Sequence, residues 1–156
     1  MGKIEARMNE RGITLPSKFY TPVANAVPWR RAANLVFIAG QGPHWDGEFV
    51  VKGRLGEDCS FERGQEAARI CALNIIYFLR EACQGDLDRA ANCMMLQAYV
   101  RCTDDFNQQP AVINVASDLL IEVFGEGGRH ARTAVGVNAL PRDIPVEISA
   151  IWELRD

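Results

Sequence analysis

The sequence predicts one α+β domain in which two long helices cover one face of a mixed sheet. Three observations carry that prediction. The chain has 156 residues, a length that suits one core rather than two. Two segments repeat apolar residues at spacings of three and four, the signature of helices with one buried stripe. The remaining apolar runs are short and rich in strand formers, and the elements follow in the order strands, helix, strand, helix, strand, strand. An order of that kind is satisfied by helices stacked on one side of a single sheet.

The elements follow in turn. Residues 3–11 carry a short amphipathic pattern, stopped by Gly12 and then Pro16. A Pro-rich stretch through Pro22 and Pro28 reads as irregular. Leu35-Val36-Phe37-Ile38-Ala39 is a strand run closed by Gly40, and Gly42, Pro43, Asp46 and Gly47 mark turns before a short strand at 48–52. The strongest helix spans 61–83. Ser60 is its N-cap and Glu62 places negative charge at the positive end of the helix dipole. Its apolar face comprises Ala68, Cys71, Ala72, Ile75, Ile76, Leu79, Ala82 and Cys83, and Gly85 ends it. A strand at 93–102 follows. Pro110 opens the second helix, with Val112, Val115, Leu119, Leu120 and Val123 inward and Gly125 as its stop. Strands at 131–139 and 145–154 close the chain around a Leu-Pro-Arg-Asp turn, and in the second of them Val146, Ile148, Ala150 and Trp152 share a face. No repeat, linker or low-complexity segment divides residues 1–156, so one domain is expected, with the N-terminal helix as an appendage.

Composition narrows the function. Apolar residues make up 48% and charged residues 24%, ordinary values for a folded globular domain. The formal net charge is −3 and there is no lysine-rich tract, so nothing matches a phosphate backbone and nucleic acid is not an expected partner. No run of 18 apolar residues is present, so no membrane span is expected, and the N-terminus lacks the apolar core of a signal peptide. A cytoplasmic location follows. The five cysteines, Cys59, Cys71, Cys83, Cys93 and Cys102, are odd in number without a C-x-x-C pair. Cys71 and Cys83 fall on the helix stripe, as small hydrophobes do. With His44 and His130 the only histidines, no His/Cys cluster has zinc spacing, and metal catalysis is not expected.

Two charges sit oddly. Arg132 lies within Ala131-Arg132-Thr133-Ala134-Val135, and Glu147 within Val146-Glu147-Ile148-Ser149-Ala150. Both could simply face water as a cross-strand pair. Alternatively, the Arg132 guanidinium is a fork for a carboxylate and Glu147 orients or deprotonates a water beside the bound ligand. Gly125, Gly127 and Gly128, just before Arg132, are either a backbone anion nest or only a helix stop and turn. His130 reads as a strand-edge residue. Asn114 reads as a surface amide beside the apolar stripe. Gly40-Gln41-Gly42 lacks the third glycine and the following helix of a dinucleotide loop.

Several of these segments resemble the Rid (reactive intermediate deaminase, YjgF-like) family. Phe37-Ile38-Ala39-Gly40-Gln41-Gly42-Pro43 resembles its strand-ending Ser-Gly-Gln-x-Pro segment. The stretch 130–151, HARTAVGVNALPRDIPVEISAI, resembles its C-terminal signature. Residues 65–79 resemble its long helix, and 105–114 the Asp-Phe and Asn preceding its second helix. The resemblance spans about residues 34–154. It implies a chorismate-mutase-like fold and a homotrimer with ligand clefts between subunits. The implied activity is cofactor-free hydrolysis of reactive 2-imino or enamine acids, released by pyridoxal-phosphate enzymes, to 2-keto acids and ammonia. By the same resemblance Arg132 and Asn114 bind the substrate, Arg132 through its carboxylate, and Glu147 is the catalytic group near the attacking water. The departures are equally specific. Ala134 stands where the family often has cysteine, Ala39 where it has serine, and Ala26 near the place of its tyrosine. These losses keep a second reading open, a protein that binds a small 2-keto acid or related carboxylate without turning it over. A third, the endoribonuclease activity attached to some family members, finds no support in the acidic balance.

Overall fold

The structure is a computed structural model that describes residues 1–19 and 25–155; Pro22, in the stretch read as irregular, lies outside them. Helix α1 is Lys3–Glu10, α2 is Phe61–Ala82 and α3 is Gln109–Phe124. The strands are β1 (Trp29–Ala32), β2 (Leu35–Gln41), β3 (His44–Trp45), β4 (Glu48–Phe49), β5 (Ala90–Arg101), β6 (Ala131–Val137) and β7 (Val146–Leu154). Five of them form one sheet in the order β1-β2-β7-β5-β6, while β3 and β4 make a separate short hairpin. The sheet is mixed: β5 and β6 run parallel, and the other neighbours antiparallel.

Both long helices pack on the same side, α2 against β7 and β2 and α3 against β6, and they pack on each other. Alternation along the strands supplies the buried face. Val146, Ile148, Ala150 and Trp152 of β7 are all buried, as are Leu96, Ala98 and Val100 of β5. The predicted stripe of α2 is entirely buried, and Ser60 Oγ accepts the Arg63 N–H at 3.2 Å. In α3 the phase differs slightly. Val115 is half-buried, while Ile113 and Ala116 lie in the core. All five cysteines are free and buried.

Three local expectations change. The segment before residue 35 contains β1, whose burial pattern is nearly all exposed; an edge strand wetted on both faces leaves no period of two in the sequence. The strand expected at 48–52 pairs only over Glu48–Phe49. The helix expected as an appendage is built into the body. Met8 and Ile13 join the core, Asp88 accepts the Lys3 and Ile4 N–H groups at 2.8 Å each, and Arg7 donates to the Val123 carbonyl at 2.8 Å. Asp88 thus caps α1 from a distant segment, a role that the N-terminal Gly2 has no side chain to play.

Among the described residues, no helix covers the opposite face of the sheet. In register across it lie Phe37, Ile151 and Met95, and farther along Glu147, Tyr99 and Val135. Phe37 and Val135 are 41% and 42% exposed. Apolar side chains this open, on a face that alternation would otherwise make polar, mark a surface suited to burial against another molecule.

Candidate functional site

Glu147 sits on the open face of β7, its Cα paired with that of Tyr99. Next to it, the β2–β7 register slips. Ile38 pairs with Ala150 but Gln41 with Ile148, so β2 carries one extra residue, a β-bulge. The bulge brings Gly40 beneath the Glu147 carboxylate. A Cβ at Gly40 would lie 2.8 Å from Glu147 Cδ and 2.9 Å from Oε2, so the carboxylate occupies the space a side chain would need. Glu147 is half-buried, and that burial pushes its carboxyl above the ordinary range, because a charged oxygen loses hydration it cannot replace.

The carboxylate faces a cavity of about 370 Å³ whose walls come from β2, the β3–β4 hairpin, the segment before β1 and the turn before β7. Phe49, Ile144 and Pro141 line it, as do Ala39 and Ala26, two of the positions where the sequence lacks the family's polar groups. His44 also lines it. Its ring meets Phe19 edge-on at 4.8 Å and Phe49 at 5.8 Å between centroids. Burial pulls the imidazole down to about 4, which leaves it neutral at pH 7. Arg142 lies at the rim, with its guanidinium carbon 5.4 Å from the Phe49 ring centroid. Arg142 and its neighbour Asp143 both take left-handed backbone angles, φ of 58° and 56°. Such angles cost non-glycine residues energy, and strain of this kind concentrates at sites.

One buried amide holds the cavity floor. Asn74, inside α2 and without exposed surface, donates to the Gly42 carbonyl at 3.0 Å and the His44 carbonyl at 2.9 Å. Helix and loop are thereby joined where the chain leaves β2.

Arg132 and Asn114 are brought together. Arg132 Nη1 donates to Asn114 Oδ1 at 2.9 Å and to Ser117 Oγ at 3.1 Å. The Gly128 carbonyl, 2.7 Å from His130 Nδ1, can only accept, so Nδ1 carries the proton. His130 Nε2 therefore accepts from the Ser117 hydroxyl at 2.9 Å. A chain of hydrogen bonds from β6 through α3 thus orients the guanidinium. Burial, followed by the Arg132 charge, holds His130 below its ordinary range against the opposing Gly128 bond. The glycines before it serve close packing. A Cβ at Gly128 would meet the Leu120 carbonyl at 2.2 Å, and one at Gly127 the Ala91 carbonyl at 2.4 Å, which makes the segment a tightly packed turn.

Arg132 and Glu147 are not brought together within one chain. Arg132 is in register with Leu96 and Ala150, both on the helix side, whereas Glu147 is in register with Tyr99 and Val135 on the open side. They therefore point to opposite faces, with Cα atoms roughly 14 Å apart from two strand spacings and three residues of rise. No local pattern marks His44, Phe49 or Arg142 as site residues, because the cavity they line is assembled from segments distant in sequence. Asn74 left a signal in the sequence, a lone amide in the run Ala72-Leu73-Asn74-Ile75-Ile76.

The family described as "YjgF/chorismate mutase-like, putative endoribonuclease" matches residues 5–147. The chain belongs to the YjgF/chorismate mutase-like family. Protein TCP17 of Trypanosoma cruzi is 38% identical to it over 156 residues, covering 99% of this chain and 96% of that one. The crystal structure of Atu1372 from Agrobacterium tumefaciens matches with a TM-score of 0.89 and 40% identity, over 98% of this chain and 94% of that one. A Shewanella oneidensis structure with the same endoribonuclease designation matches with a TM-score of 0.91 and 30% identity, over 97% and 99%. Both structures match this chain over nearly its whole length. Among the described residues no helix is long and apolar enough to cross a membrane.

Proposed function

We propose that this YjgF-like protein hydrolyses 2-imino or enamine acids to 2-keto acids and ammonia, at a site shared between adjacent copies of a homotrimer. The observation that carries the reading is the half-buried Glu147 carboxylate above Gly40, facing a cavity, with its pKa raised by burial. A raised carboxyl pKa lies closer to working pH, where one group serves as base and then as acid. Glu147 takes a proton from water as the water oxygen bonds to the C=N carbon. It returns that proton to nitrogen to give the carbinolamine; the carbinolamine hydroxyl then passes its own proton through Glu147 to nitrogen as the C–N bond breaks, so that ammonia leaves and the keto C=O forms. Arg132 holds the substrate carboxylate, with its fork oriented by Asn114 and Ser117. Because Arg132 and Glu147 face opposite sides of one sheet, the Arg132 that serves a given Glu147 belongs to a neighbouring copy. A rotational interface that closes after three copies supplies that pairing at every site. No cofactor takes part.

The test generates imines with an amino-acid oxidase and catalase, with semicarbazide as the competing trap. Wild type should divert imine to keto acid, and Arg132→Ala and Glu147→Gln should each lose that diversion by about a hundredfold or more. Ala39 and Ala26 in the described lining, at or near the places of the family's serine and tyrosine, also favour a second reading, binding of a small 2-keto acid without turnover. Keto-acid affinity with no imine diversion would select it. RNA cleavage that survives Glu147→Gln would instead support the endoribonuclease designation of its relatives.

A further inference from the structure

We propose that the cavity above Gly40 receives the substrate's side chain, and that the protein prefers 2-imino acids with a large apolar or aromatic side chain over those with a methyl group. This rests on the reading of Glu147 as the acid–base group. The cavity holds about 370 Å³, within the range of pockets that enclose small organic ligands. A methyl group would leave most of it to water. Its walls are mostly apolar rings and aliphatic groups, among them Phe49, Ile144 and Val27, with Gln41, Glu147 and Arg142 as the polar and charged members, and the imidazole of His44 is neutral at pH 7.

Electrostatics gives the orientation. A substrate carboxylate pushed into this cavity would approach the Glu147 carboxylate in a poorly hydrated place, where like charges repel strongly. With the carboxylate turned toward the neighbouring copy's β6 edge and the C=N carbon beside Glu147, the side chain is the group left to enter. Phe19 set edge-on to His44, and His44 edge-on to Phe49, give the lining an aromatic character that suits an apolar or aromatic side chain. Ala39 and Ala26 keep the space open.

The experiment compares imines generated from alanine, leucine and phenylalanine, together with binding of pyruvate, 4-methyl-2-oxopentanoate and phenylpyruvate to the full chain. Wild type should favour the leucine and phenylalanine imines by about tenfold to a hundredfold in kcat/KM, and the larger keto acids should bind correspondingly tighter. Ala39→Leu fills the cavity from an exposed strand position and should shrink that preference at least tenfold. Equal or reversed preference in wild type, or an Ala39→Leu defect the same for all three imines, overturns the inference. Hydrolysis confined to the alanine imine leaves the deaminase reading standing and removes this one. Selective binding of the larger keto acids without any hydrolysis does the opposite.

Discussion

At Gly40 a single added methyl group would land 2.8 Å from the Glu147 carboxyl carbon, a separation that Cβ atoms do not sustain. Gly40→Ala should therefore displace the carboxylate rather than unfold the chain. We expect imine hydrolysis to fall at least about tenfold, in line with the cost of misplacing a reacting group by an ångström, while the thermal midpoint changes by only a few degrees; steady-state kinetics and calorimetry read the two effects separately. The same carboxylate controls a pH dependence. Its folded-state pKa is raised by burial, so folding favours the protonated form. Its contribution to stability is fully present below the ordinary carboxylate value of about 4.3 and is lost as pH rises through the raised value. Glu147→Gln removes a half-buried charge, so the variant should be more stable than wild type at pH 7. That advantage should vanish on acidification below about pH 4, and denaturant midpoints across that range would check both signs.

The elements show which signals were legible and why. The stripes of α2 and α3 were readable because a helix repeats its buried face every turn, and the Ser60 cap because its partner lies three residues away. Asn74 was not readable as a structural residue. Its partners are the carbonyls of Gly42 and His44, 32 and 30 residues distant, and the pattern alone marks it as an interruption. Asn74→Leu would take a side-chain donor from the His44 carbonyl and leave the Gly42 carbonyl with the His44 N–H alone, at a cost of about 2 kcal/mol. The variant should show a lowered melting temperature and faster amide exchange in the β2–β3 loop, and an unchanged exchange rate there would remove the floor-holding role. Strand β1 escaped the sequence reading for a related reason, since an exposed edge carries no alternation. The anchoring of α1 by Asp88 likewise spans more than eighty residues and leaves no local mark.

At the scale of the whole molecule, the candidate site is divided between two faces of one sheet. If copies associate around a three-fold axis with one site per interface, two inactive variants can complete each other. Mixed trimers of Arg132→Ala and Glu147→Gln chains, refolded together in equal amounts, should recover about a quarter of wild-type activity, because half the chains keep each residue and the two must meet at one interface. No recovery would place both residues' functions within single chains or dismiss one of them. Phe37→Asp or Val135→Asp, on the uncovered apolar face, should shift sedimentation from trimer toward monomer and abolish turnover with it.

The linear sequence was enough to determine the fold class and the two-helix layer, because periodicity is a local property of the chain, while resemblance to the family singled out Arg132, Asn114 and Glu147 as residues to test. Which of those residues meet was decided only in three dimensions. Strand alternation carried Arg132 and Glu147 to opposite faces, a one-residue bulge slid Gly40 under the carboxylate, and the hairpin turned His44 and Phe49 into the wall of a cavity. Each depends on register between strands far apart in sequence. A shift of one residue reverses the face to which a side chain points.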